Sequence, residues 1–284
     1  MMLKKAVFTI CASLILFMAF QSLQAQFLTL PQTSPKASVI QRIGITDVKI
    51  NYHRPGVKER EIWGELVPFN EGKPRPWRAG ANENTTISFC HDVKIDGHDL
   101  PAGTYGFHII PSETDWILIF NKNHTSFGSY FYKPDEDALR ITVTPVEAPF
   151  QERLLYGFDE LTDNSANAFL HWEKLKVSLK IEVDVHEITI ANIKNELRGG
   201  FGFFWWGYNN AAGYCLSSET HYDQALEWVD QSISMEKNFR NLTTKGQLLA
   251  KKGEIAQANE ILKEALDMAP ERMQKRIQQM IDKL

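Results

Sequence analysis

Leu175, Val177, Leu179, Ile181 and Val183 alternate without a break with Lys176, Ser178, Lys180 and Glu182, and two residues later the pattern ends. A period of two puts one face of a strand in a core and the other in water. The same period runs through Val48, Ile50 and Tyr52, through Ile87, Phe89, His91, Val93 and Ile95, and through Leu139, Ile141 and Val143. Trp116 to Phe120 is apolar on both faces and reads as a central strand. Turn chemistry at Asp96-Gly97, Pro101-Ala102-Gly103 and Asp163-Asn164-Ser165 separates the runs. About eight to ten short strands with no helical stretch between them imply an antiparallel β-sandwich or a related barrel. After Asp184 the period becomes helical. The fold class expected is therefore α+β and multidomain: a sandwich followed by a short α-helical repeat domain.

In the second half Leu242, Gly246, Leu249, Ala258, Leu262, Ala265 and Pro270 are spaced as in a tetratricopeptide repeat, with Lys252-Gly253-Glu254 as the turn between two helices. Small residues stand where helices must approach closely, Leu fills the gaps, and Pro270 stops the second helix. Lys245 departs from the pattern, at a position where a large apolar residue is common. Gly213, Leu216, Ala225 and Val229 form an earlier copy, with Ala225 and Ala258 33 residues apart. Val185 to Leu197 reads as a leading helix and Glu271 to Leu284 as a capping helix. Two repeats bury little, so these flanks and the sandwich should complete the core.

The first 25 residues differ from the rest. Lys4 and Lys5 precede the apolar run Ala6 to Phe20, and Ala25 is a small residue at a cleavage position. The pattern reads as a secretory signal peptide; the run is shorter than the roughly 20 residues that span a bilayer, which disfavours an uncleaved anchor. The expected division is 1–25 signal peptide, 26–183 sandwich and 184–284 helical domain, in a protein exported to the periplasm or beyond, with no transmembrane segment once the signal is removed. Of 31 basic residues 29 then remain against 35 acidic ones, a net charge of −6. With no basic tract, nucleic acid and anionic membrane surfaces are not expected partners. Cys11 leaves with the signal; Cys90 and Cys215 lie far apart, with neither CxxC nor metal-ligand spacing, and are expected as free thiols.

The densest polar stretch is Tyr52-His53-Arg54-Pro55-Gly56-Val57-Lys58-Glu59-Arg60-Glu61-Ile62-Trp63-Gly64, followed by Leu66-Val67-Pro68-Phe69 and by Trp77-Arg78-Ala79-Gly80-Ala81-Asn82-Glu83. With "LPAGTYGFHIIP" and "WILIFN" further on, the pattern over roughly residues 31 to 183 resembles the DUF2911 family of exported proteins, typical of Bacteroidetes-like bacteria, whose function is unknown. Compared with that pattern, Glu59 stands where a glycine is usual before the arginine, and residues 70–76 make a longer loop. Arg54, Arg60 and Arg78 offer planar forks for a carboxylate, phosphate or sulfate. Tyr52 and Trp77 offer flat faces for a sugar-like ring, and Glu61 and Glu83 are acidic partners. Two readings stand. Either these residues form an Arg–carboxylate clamp that pins two loops, with Asn82 or Gly80 supplying a left-handed turn, or Tyr52, Arg54, Arg60, Trp77, Arg78, Asn82 and Glu83 line a ligand pocket at the sandwich rim.

Phe201, Phe203, Phe204, Trp205, Trp206 and Tyr208 crowd a Gly-rich stretch. They either pack internally or form a protein-interaction patch. No metal pair, nucleophile elbow, phosphate loop or dinucleotide fingerprint is found, so no cofactor, metal or catalytic residue is expected. His91 falls on an inward register and reads as a core histidine. The leading functional expectation is a cell-envelope binding or scaffolding protein whose helical repeats hold a protein or peptide. The alternative is a carbohydrate- or anion-binding module, or an envelope hydrolase, using the Arg/Trp/Glu pocket.

Overall fold

The computed structural model describes residues 30–73 and 75–284, so the leader read at residues 1–25 lies outside it. Among the described residues ten strands precede six helices, an α+β fold. The strands are β1 (Lys36–Ile43), β2 (Thr46–His53), β3 (Thr86–Phe89), β4 (Val93–Ile95), β5 (His98–Leu100), β6 (Gly103–Ile110), β7 (Trp116–Asn121), β8 (Asp137–Val143), β9 (Val146–Asp159) and β10 (Ser165–Glu182). They form a six-stranded antiparallel sheet, β1-β2-β3-β6-β7-β8, and a four-stranded one, β5-β4-β10-β9.

Alternation fixes which faces meet. Ile50, Ile87, Ile109 and Leu118 of the larger sheet share one buried core with Leu170, Val177 and Leu179 of the smaller. The void they enclose is about 10 Å³, room for about one water and not for a ligand. No ligand site therefore lies between the two sheets.

The run from Ile87 to Ile95 does not form one strand. It breaks at Cys90–Asp92: Phe89 pairs with Val48 in the larger sheet, and Ile95 pairs with Ile181 in the smaller. His91 sits at that corner, half-buried, with its Nδ1 3.1 Å from the Thr46 hydroxyl. Its expected place inside the core is thus corrected, because the chain changes sheets at the residue before it.

The helices are α1 (Val185–Glu196), α2 (Trp205–Ser217), α3 (Tyr222–Met235), α4 (Phe239–Lys251), α5 (Ile255–Met268) and α6 (Glu271–Ile281). Asp184 caps α1 by accepting from the Glu187 N–H. α1 joins the two regions: Val185 and Ile188 pack on the sandwich core, while Ile190 is buried among α2 and α3 residues. Gly44, in the β1–β2 turn, has no room for a side chain because Val185 is 2.7 Å from where its Cβ would stand. In α4, Gly246 lets α5 approach so closely that a Cβ there would meet Leu262 Cγ at 2.6 Å. Lys245, the polar departure, is ion-paired with Asp230 at 2.7 Å. No helix among the described residues is long and apolar enough to cross a membrane.

Candidate functional site

Between β2 and β3 the chain runs from Arg54 to Thr85 without a regular strand. Backbone pairing to the sandwich pins it at both ends. Val57 N–H donates to Glu152 and Leu154 N–H to Pro55, tying its start to β9. Trp77 exchanges two backbone hydrogen bonds, 2.8 and 2.9 Å, with Ile109 of β6. Four indoles lock its middle: Trp63 lies 4.6 Å from Trp116 between ring centroids, and Trp77 stacks on Trp172 at 6.0 Å with planes 17° apart. Such aromatic pairs add about 1 kcal/mol each beyond their buried area.

The turn that follows Trp77 is held in unusual backbone geometry. Ala79 (φ +52) and Asn82 (φ +58) are both left-handed. Buried donors offset the strain at Ala79: its carbonyl accepts from the Tyr156 hydroxyl at 2.8 Å and from the Thr85 hydroxyl at 3.2 Å. Gly80 is extended or right-handed, and glycine is required there by space, since a Cβ would stand 2.7 Å from the Thr85 hydroxyl. Glu59, where the resemblance leads one to expect glycine, takes φ +58 behind Lys58 at φ +50.

Folding the loop this way opens a cleft of about 420 Å³ at the sandwich rim. Lys58, Arg60 and Arg78 line it, together with Trp77, Trp172 and Asn82. No aspartate or glutamate is in the lining. Among the described residues none of the three cations forms an ion pair. The guanidiniums are instead aimed by backbone carbonyls. Arg60 donates to Val57 at 3.0 Å and to Gly56 at 2.6 Å; Arg78 donates to Asn82 at 2.6 Å. Each keeps further N–H donors for a ligand. Trp172 is buried, and its indole N–H has no acceptor among the described residues.

Arg78 has a second surface. Its guanidinium carbon lies 5.7 Å from the Phe127 ring centroid and 5.4 Å from that of Tyr130, both on the β7–β8 connection. Gly128 is left-handed (φ +56), which favours glycine, and a Cβ there would stand 2.5 Å from the Arg78 guanidinium and push it aside. His108 of β6 anchors the connection from below, its Nδ1 3.0 Å from the Ser129 hydroxyl and its ring against Tyr132. Burial pushes the His108 pKa down to about 4, against the pull of Asp137 and with a push from Arg78.

Of the expected pocket residues, Arg60, Trp77, Arg78 and Asn82 come together in the cleft, and three do not. Tyr52 is in the core, edge-on to Tyr156 at 4.7 Å. Arg54 spends its Nε on the Leu154 carbonyl, 2.9 Å. Glu83 pairs with neither arginine; it meets the buried His53 at 2.9 Å, and burial lowers the His53 pKa while Glu83 raises it. The expected Arg–carboxylate clamp is thus replaced by Arg–carbonyl contacts. Lys58 and Trp172 were not among the expected pocket residues; Lys58 stands two residues before Arg60, and Trp172 lies 94 residues downstream of Arg78, in β10.

A broader depression of about 1080 Å³ lies where α1 leaves the sandwich, lined by Asp92, Asp99, Asp163, Glu182 and Asp184. Most of these acids are already engaged: Asp92 with the Ala102 N–H, Asp99 with Lys94, Glu182 with Lys180, and Asp184 as a helix cap. Among the described residues no group of three or more His, Cys, Asp or Glu is placed to hold a metal. Cys90 is exposed and Cys215 buried, both free; burial pushes the Cys215 thiol up to about 11, so it stays protonated.

The aromatic stretch of the helical region divides. Tyr208 packs on the α1–α3 core, and Trp205 is half-buried. Phe201, Phe203, Phe204 and Trp206 are exposed, Phe203 at 78%.

A family model described as a protein of unknown function (DUF2911) matches residues 34–181. The chain belongs to this family. The matched residues include the whole loop, the cleft lining apart from Thr33, and the aromatic connection, and end one residue before β10 does. No curated protein and no solved structure matches the chain.

Proposed function

We propose that this chain is an exported cell-envelope binding protein whose sandwich takes a small oxyanion-bearing ligand at the loop cleft. One observation carries the reading: Lys58, Arg60 and Arg78 face one cleft whose lining has no carboxylate and two indoles. Glu152 stands beside the cleft, its carboxylate accepting from the Lys58 backbone N–H at 3.2 Å, but it forms an ion pair with none of the three cations. Three like charges against one still repel, and an anion would relieve that. Forked guanidiniums with spare donors suit carboxylate, sulfate or phosphate. The absence of any acid in the lining favours binding over hydrolysis by a carboxylate pair, and Glu83 is engaged elsewhere.

A second reading concerns the helical region. Its helix pairs, with Gly246 and Ala258 at the close approach, fit tetratricopeptide-like repeats, and such repeats commonly hold a protein or peptide. The exposed Phe201, Phe203, Phe204 and Trp206 favour a protein partner there.

The test of the first reading uses residues 26–284 and titrates sulfate, phosphate and glucuronate by calorimetry and thermal shift. A ligand of the native state raises the midpoint by mass action. Binding to wild type, weakened but present in Arg78→Lys and lost in a folded Arg78→Ala, is the expected result. Binding equal in wild type, Arg78→Ala and Arg60→Ala would remove the cleft from the proposal.

A further inference from the structure

We propose that the ligand is an acidic oligosaccharide, and that Arg75 and Tyr130 form a second subsite beside the cleft. This rests on the cleft being an anion site. The first observation is the shared ring. The Arg75 guanidinium carbon lies 4.1 Å from the Tyr130 centroid and that of Arg78 lies 5.4 Å from it. The two cations are therefore within 9.5 Å of each other, the sum of those distances. Neither forms an ion pair among the described residues, and Arg75 is exposed.

The second observation is continuity. Arg78 lines the cleft on one side and stacks on the aromatic connection on the other. Cations and flat rings thus follow one another from Arg60 and Trp77 through Arg78 to Phe127, Tyr130 and Arg75. Phe127 is 53% exposed and Tyr130 54%. The two rings lie nearly parallel, 26° apart. A single inorganic anion would use only the cleft end of this row. A chain that presents an anion and an apolar sugar face by turns matches its whole length, because sugar C–H faces lie on aromatic rings while carboxylates or sulfates meet guanidiniums.

The third observation is rigidity. Ser129 is held by the buried His108, and Gly128 is fitted against Arg78. Tyr132 holds Asp137 at 2.8 Å and accepts from Arg140 at 2.8 Å. The loop that carries the rings is built into the sandwich, which lowers the ordering cost of binding.

The experiment compares galacturonic acid with its linear trimer and hexamer, and a sulfated hexasaccharide, on residues 26–284, read by calorimetry at fixed salt. Wild type should bind the longer oligomers more tightly than the monosaccharide. Arg75→Ala should weaken the hexamer about tenfold, the loss of one charge-assisted contact, and leave the monosaccharide unchanged. Tyr130→Ala, which also removes a ring from Arg78, should weaken the hexamer more than the monosaccharide. Arg78→Ala should weaken both. The carboxylated and sulfated arms distinguish the two sources of charge. If the monosaccharide binds through Arg78 but hexamer affinity equals it and Arg75→Ala changes nothing, the second subsite is wrong and the cleft stands. If neither oligomer nor monosaccharide binds wild type, the acidic oligosaccharide is wrong, and the sulfate and phosphate titrations alone decide the cleft. Oligoglutamate is titrated beside them, and its binding in place of every oligosaccharide would overturn the sugar assignment.

Discussion

Two aromatic-rich segments of this chain read alike in sequence and end in opposite surroundings. Trp63 and Trp77 belong to a long loop, yet they are packed against Trp116 of β7 and Trp172 of β10. Phe201 and Phe203 sit on a 3₁₀ turn, Phe204 caps α2 and Trp206 lies in its first turn; the four cover mainly one another, with Phe204 stacked on Trp206 at 5.4 Å. The difference lies in what topology brings opposite each segment. The end of the sandwich presents two strands distant in sequence, each with an indole to offer. The 3₁₀ turn meets only its neighbours in sequence. Aromatic content tells where cover is needed; only the tertiary fold decides whether it is supplied.

The largest test of that contrast is Trp116→Ala. The side chain is 0% exposed and lies against Trp63. Its removal leaves a cavity at the base of the indole cluster and should destabilise the sandwich by about 4 kcal/mol, a fall in the melting midpoint of roughly 10 °C. Chemical denaturation checks the first figure and a thermal melt the second. A loss under about 1 kcal/mol would mean that the indoles are not the clamp described above.

Acid should loosen the same end. His108 holds Ser129 beneath the aromatic connection, with Tyr132, Asp137 and Arg78 as its titratable or charged neighbours. Its pKa is about 4 in the fold against 6.5 ordinarily, mainly through burial. A depressed histidine pKa means that the unfolded chain binds the extra proton first. Its contribution is therefore complete above pH 6.5 and is lost as pH falls from 6.5 towards 4, by about 3 kcal/mol. In His108→Gln that component should vanish. Urea titrations at pH 7 and 4.5 on both proteins separate it from the acidification common to all carboxylates.

Much of this is legible in the sequence. Alternation locates β2 and β10, a run apolar on both faces locates β7, and the small residues Gly246, Ala258 and Ala265 mark the helix contact that Leu262 fills. The corner at Cys90–Asp92 was not legible, because Ile87 to Ile95 keeps a perfect period of two across the change of sheet. Arg60, Trp77, Arg78 and Asn82 stand close enough in the chain to be grouped by eye. Trp172 joins them only through the fold of β10, and Tyr130 only because the β7–β8 connection packs on Arg75 and Arg78. Glu83 shows the opposite failure: its nearness to Arg78 in sequence suggested an ion pair, but the turn at Ala79 and Asn82 directs it to His53.

Gly246→Ala tests the helical side of the comparison. The added methyl would stand 2.6 Å from Leu262 Cγ, and Leu262 is 1% exposed, so α4 and α5 must separate or Leu262 must leave its rotamer. Alanine is otherwise the better helix former by about 1 kcal/mol, so the sign of the result discriminates. A loss of about 2 kcal/mol supports the close approach; a gain would show that the two helices do not approach there as described.

Phe203→Ser carries the smallest expected change in stability and bears most directly on why the second aromatic segment exists. With 78% of Phe203 exposed, its truncation should alter folding by less than about 0.5 kcal/mol, against about 4 for Trp116. A fold that does not need a large apolar side chain at the surface leaves recognition as its use. If the denaturation midpoint instead falls as far as it does for a buried phenylalanine, the ring is covered in solution, and the contrast between the two aromatic segments disappears.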